Sequence, residues 1–200
     1  MNEIIKIINP LVESANKKEI LRYAGVRGEA DENTLGLLDE CLKLVDGKLK
    51  YKLCYKRFSV KQRGDVLDLE FATVASENLK KRLCGCGEII LVASTIGLEI
   101  DRIISRYSSF SPARAHMLQA IGTERIEALC DTFENLLKAD GFDICPRFSA
   151  GYGDLSIEFQ KDIFNALECS KNIGLTLNES LLMSPTKSVT AIIGIKEDKK

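Results

Sequence analysis

Ile89-Ile90-Leu91-Val92-Ala93 is an apolar run without a break, and what covers such a run decides the fold. A strand with one wet face alternates polar and apolar residues, whereas a short continuous run suits a strand covered on both sides. The segment therefore marks the centre of a sheet. Upstream, residues 48–56 alternate strictly, with Leu49, Tyr51, Leu53 and Tyr55 on one face and Lys48, Lys50, Lys52 and Lys56 on the other. Val66-Leu67-Asp68-Leu69-Glu70-Phe71 alternates too, presenting acids where the first strand presents lysines. The expectation is that these two pair antiparallel, with opposite charges facing across the solvated side.

Helical signals separate the strands. After a strand-like Ile4-Ile5-Lys6-Ile7-Ile8, Asn16 can cap a helix through Tyr23-Ala24, with Glu19 in the capping-box position and Gly25 as terminator. A second helix is predicted from Asp31 to Val45, placing Leu35, Leu38, Cys41, Leu42 and Val45 on one face. Shorter helices are predicted over 76–83 and 97–107. Ser111-Pro112 then gives an N-cap and a first-turn proline. A long helix should follow to Ala139, interrupted in pattern at Gly122. Phe142-Asp143-Ile144 reads as a short strand, 150–154 as a glycine-rich loop, 157–169 as a helix and 189–195 as the last strand. The fold class that follows is α+β, a twisted, largely antiparallel sheet packed with helices, the 112–139 helix being the organising element. One domain spans 1–200, with a strand and helical arm (1–47), a sheet-and-helix core (48–195) and a frayed tail (196–200).

With 200 residues, 45% hydrophobic and 28% charged, and a net charge of -1, the chain is long enough for a real core and carries no bias toward nucleic acid or membrane surfaces. The opening Met1-Asn2-Glu3-Ile4-Ile5-Lys6 lacks the parts of a signal peptide, and no apolar run reaches spanning length. A cytoplasmic address is expected. Seven scattered cysteines then favour free thiols, most of them small buried hydrophobes.

Cys84-Gly85-Cys86-Gly87 invites a metal reading, but zinc wants four ligands and no second Cys or His pair sits at matching spacing. A glycine turn with inward thiols is the plainer expectation. The glycines lead into a strand, so they are no phosphate cradle. His116 is the only histidine, which restricts nucleophilic triads, and a solvated or helix-packing role suits it better than catalysis. Glu99 and Asp101 do not share a helix face. No catalytic and no metal-ligating residues are assigned.

Cys145-Pro146-Arg147-Phe148-Ser149-Ala150-Gly151-Tyr152-Gly153-Asp154 places an arginine, a hydroxyl, glycines and an aromatic between a strand and a helix. Arg147 offers a planar fork suited to a carboxylate, and Gly151 and Gly153 permit close backbone approach. The same residues also fit a plain turn with a solvated arginine.

Arg147-Phe148-Ser149-Ala150-Gly151-Tyr152 resembles the arginine-to-Gly-Tyr motif of the activation domain of cobalamin-dependent methionine synthase. Gly174-Leu175-Thr176-Leu177-Asn178-Glu179-Ser180, followed by Met183-Ser184-Pro185 and Ser188-Val189, is similar to that family's second block. Residues 101–131 and 19–25 are similar to its free-standing members. The resemblance implies an S-adenosylmethionine-binding reactivation subunit that docks on a corrinoid-binding protein or methionine synthase fragment. There cob(II)alamin, given an electron by a flavodoxin-type reductase, is remethylated. It implies S-adenosylmethionine as bound ligand, cobalamin only through the partner, and ligand contacts from Arg147, Ser149, Ala150, Gly151 and Tyr152. The subunit would then be an accessory component of a methyltransferase, with a docking module that has lost ligand binding as the alternative. Larger members carry a proline and a histidine where this chain has Gly153-Asp154-Leu155-Ser156, and an aromatic pair beyond the last strand. The expectation is a pocket that a partner chain completes.

Overall fold

A computed structural model describes residues 4–196. In chain order the elements are β1 (Lys6–Ile8), α1 (Lys17–Tyr23), α2 (Glu32–Val45), β2 (Lys52–Ser59), β3 (Lys61–Arg63), β4 (Val66–Asp68), β5 (Thr73–Val74), α3 (Glu77–Arg82), β6 (Cys86–Thr95), α4 (Glu99–Ser108), α5 (Pro112–Ala139), a 3-10 turn (Ile157–Phe159), α6 (Gln160–Ala166), α7 (Cys169–Ile173), β7 (Thr176–Leu177), β8 (Met183–Ser184) and β9 (Ser188–Lys196). The architecture is the α+β one expected, with β1-β2-β6-β9 forming a wholly antiparallel sheet. Met1–Glu3 and the tail beyond Lys196 lie outside the described residues.

The Ile89–Ala93 run sits at the centre of the sheet, in β6 between β2 and β9, and is buried throughout. One face packs Ile90 and Val92 with Leu53, Ala191 and Ile193 against Phe133 and Leu137 of α5. The opposite face packs Ile89, Leu91 and Ile192 with Cys54 and Phe58 among Leu79, Phe159, Ile163 and Leu167. An antiparallel sheet covered on both sides has no wet face to alternate with, which explains the unbroken apolar run. The N-terminal two thirds of α5 pack elsewhere, where Leu118, Ile121 and Leu129 join Ile20, Leu38, Cys41 and Ile100 in a helical cluster. The first 47 residues thus contribute to both the sheet edge and this cluster.

The lysine strand does not pair with residues 66–71. Its partners are β1 and β6, with Cys54 opposite Ala93, while β4 pairs with β3, setting Lys61 opposite Asp68. Charge complementarity exists, but over a three-residue hairpin, because apolar β6 offers β2 more burial than an acidic strand can. The lysine face is also less wet than expected: Cys54 and Phe58 lie on it and are buried, and Lys56 extends its ammonium over the Phe58 ring. Leu35 is exposed rather than buried.

Asn16 caps α1 through Lys18 and Glu19 backbone N–H groups. The reciprocal arm of the capping box is replaced, however: Asn16 N–H donates to Glu124 Oε1 of α5 at 3.1 Å, while Glu19 pairs with Arg22. Ser111 makes no side-chain cap, although Pro112 opens α5 as expected. Gly122 leaves α5 unbroken; it gives room to Lys187, whose Cε and Cγ would stand 3.0 Å from a Cβ there. The helix predicted over 157–169 is a 3-10 turn and two short helices, broken at Glu168, where φ is +45°.

Candidate functional site

Residues 143–148 extend the sheet beyond β9. Cys145 N–H donates to Gly194 O at 2.8 Å, and Phe148 and Ile192 exchange backbone bonds of 2.9 and 2.8 Å. The expected 142–144 strand is realised as this irregular edge segment, which delivers Arg147 to α5. There Nη1 donates to Asp131 (2.9 Å) and Glu134 (2.6 Å), and Nη2 to Glu127 (2.6 Å). The three acids recur at helical spacing on one face of α5. Burial pulls the Arg147 pKa down, but Glu134, Asp131 and Glu127 outweigh it and hold the guanidinium charged beyond its ordinary range. Three of its five N–H donors are thus engaged with carboxylates.

The following loop is tightly built. Gly151 has φ +89°, donates its N–H to Leu155 O at 2.8 Å, and lies so close to Ile157 that a Cβ would stand 3.0 Å from Cδ1. Gly153 (φ +58°) abuts Asn78, whose Nδ2 would lie 2.7 Å from a Cβ. Asp154 accepts from Ser76 Oγ and from the backbone N–H groups of Glu77 (2.7 Å) and Asn78 (3.2 Å), crowning the first turn of α3. Those hydrogen bonds, led by that from Ser76, hold its carboxyl down to about 2. The Gly153-Asp154 departure from the family's pattern therefore anchors the loop to α3.

Of the residues implicated by sequence, Arg147, Ser149, Ala150 and Tyr152 line one cavity of about 480 Å³, and Gly151 does not. Tyr152 stands at its rim, 69% exposed. Met183, Ser188 and Val189 of the second block line the same cavity. The upstream half of that block diverges: Leu175, Thr176, Leu177, Asn178 and Glu179 line a separate cleft with α6 and α7. Sequence reasoning missed Glu127, Gln160, Thr190 and Arg82, which complete the lining. The 127, 131, 134 spacing was visible, but acids on one face of a long helix read equally as a solvated stripe.

The other motifs resolve simply. All seven cysteines are free, five are buried, Cys86 is half-buried and Cys84 is exposed, so of the Cys84/Cys86 pair only Cys86 turns inward. Its Sγ lies 3.6 Å from Cys145 Sγ. Among the described residues no group of three or more His, Cys, Asp or Glu side chains is placed to hold a metal ion, and no helix is long and apolar enough to cross a membrane. His116 Nε2 lies 3.1 Å from Ala24 O, joining α5 to the end of α1 in the packing role expected of it.

No protein-family profile and no curated protein matches the sequence. Among solved structures the chain is similar to a crystal structure of the MetH reactivation domain bound to AdoHcy, with 15% identity and a TM-score of 0.73. The similarity covers 100% of this chain and 80% of that one. The activation-domain-like fold implied by the two sequence blocks is thus the fold observed.

Proposed function

We propose that this chain, which has the fold of the MetH reactivation domain, binds S-adenosylmethionine and acts as a reactivation subunit for methionine synthase or a related corrinoid methyltransferase. The observation that supports this reading is the convergence of Arg147, Phe148, Ser149, Ala150 and Tyr152 with Met183, Ser188, Val189 and Thr190 on one cavity whose wall also carries Glu127. Its volume falls within the range of small-molecule sites. The charges fit as well: the methionyl end of the ligand bears a carboxylate, an ammonium and a sulfonium, and the wall offers the guanidiniums of Arg82 and Arg147 beside the Glu127 carboxylate. The two N–H donors of Arg147 left by the acids suit the ligand carboxylate, and Glu127 suits the cationic groups.

When bound, S-adenosylmethionine supplies an activated methyl group. This chain contributes binding and orientation, with the corrinoid held by a partner protein and reduced by a flavodoxin-type donor. Tyr152, exposed at the rim, is positioned to meet whatever covers the cavity. Titration calorimetry with S-adenosylmethionine, with and without a corrinoid protein, tests the reading: binding in either condition supports it, and silence in both rules it out.

A second reading, a docking module that no longer binds the small ligand, is favoured by the three carboxylates that already engage Arg147. Under that reading corrinoid-protein binding is indifferent both to S-adenosylmethionine and to Arg147→Ala.

A further inference from the structure

The first residue of α6, Gln160, is 6% exposed, and its Oε1 has no hydrogen-bond partner. Buried amide oxygens are nearly always paired, so an orphan calls for an explanation. Gln160 lines the same cavity as Arg147, in company with Phe148, Ala150 and Met183. Nothing in the fold requires a polar side chain among these neighbours: α6 begins straight from the 3-10 turn with no side-chain cap, and Ile163, one turn on, is fully buried. A leucine would fill the same volume without an unpaired oxygen.

We infer that Gln160 reads the adenine of the bound nucleoside, an inference that rests on the S-adenosylmethionine reading above. An amide presents an acceptor and a donor side by side in one plane. Adenine presents the complement, the 6-amino donor beside a ring-nitrogen acceptor, and a glutamine can take both together. A half-turn of the amide about its last torsion exchanges oxygen and nitrogen without moving any other atom, so either edge of the base can be met. Phe148 and Met183 supply the apolar, polarizable walls that a flat ring prefers. The charged end of the ligand is matched to Arg147 and Glu127, which leaves the neutral, hydrogen-bonding base for the neutral amide. The oxygen has almost no accessible surface as the side chain stands, so it serves as a recognition group that the ligand completes once the amide turns toward the cavity.

The test is calorimetry on the full chain, with the corrinoid protein present, using S-adenosylmethionine and its analogue whose purine lacks the 6-amino group. The wild-type chain should bind the analogue about tenfold more weakly, the size of effect expected for one lost hydrogen bond. Gln160→Leu should bind both ligands equally and at or below the weaker level, while its thermal midpoint without ligand stays level or rises, since an orphaned polar atom has been removed. A structural role would instead lower that midpoint and leave the ligand ratio at ten. If Gln160→Leu fails to fold, Gln160→Met serves, with the same expected ratio of one. Equal binding of the two ligands by the wild-type chain overturns the assignment of Gln160 and leaves the S-adenosylmethionine reading intact. Tenfold discrimination that persists in the variant does the same. Absence of binding by either ligand overturns both.

Discussion

Arg147 Nη1 lies 2.6 Å from Glu134 Oε1, joining the irregular edge of the sheet to the long helix. Glu134 is the least exposed of the three acids that hold the arginine, at 15%, so this contact is the most sheltered of the set. Replacing Arg147 by alanine leaves three neighbouring carboxylates without their shared counter-charge, and urea unfolding should show a loss of ~1–3 kcal/mol. Under the proposed function the same variant also weakens S-adenosylmethionine binding by roughly tenfold or more, as read by calorimetry. Arg147→Lys keeps the charge but not the fork, and should restore little of either.

Asp154 gives a pH signature. Its folded pKa, about 2, is depressed below the ordinary value of 3.8. Its contribution to stability is therefore complete above the ordinary carboxylate range and is lost as pH falls through the window from 3.8 to about 2. Asp154→Asn should unfold at lower urea than wild type at pH 6, and the gap should close as the pH approaches 2.

Gly194 of β9 lies between two side chains that leave no room for a methyl group. A Cβ would stand 2.7 Å from Cys86 Sγ and 2.8 Å from Leu83 Cδ2. Overpacking of this kind costs about 1–3 kcal/mol, so Gly194→Ala should lower the urea midpoint without changing the slope. A variant as stable as wild type would show that Leu83 and Cys86 yield freely.

Glu124 and Arg125 form a buried ion pair, each side chain 7% exposed, with two bonds between them and Arg125 also donating to Glu13 O and Ser14 O. Removing one member strands a buried charge, so Glu124→Ala should cost ~3–5 kcal/mol. The double variant Glu124→Leu with Arg125→Met should be less damaged than the single one, because no charge is left unpaired.

Much of the fold was legible because its signals are local. The Ile89–Ala93 run, the Asn16 cap and the first-turn proline at 112 each report on neighbours in sequence, and each element was found. What failed was pairing across distance. The lysine and acid strands matched in pattern, yet the match could not compete with the apolar face that β6 offers to β2. The capping box failed likewise, since Glu124, distant in sequence, takes the N–H that Glu19 would have taken. At the site, the 147–152 loop was legible as a binding candidate from its residue types. Gln160 was not, because a glutamine at the start of a helix is ordinary until its oxygen is seen to lack a partner.

β6, the most apolar strand, is flanked by β2, made before it, and by β9, the last strand described. During synthesis on the ribosome its second edge therefore stays bare until β9 emerges, with α5 able to shield a face of the strand but not its row of unpaired amides. The nascent chain thus passes through a stage with a bare, greasy strand edge, open to wrong partners. Residues 188–190, which line the cavity, arrive with the strand that ends that stage, so the candidate pocket and a safely closed sheet come into being together.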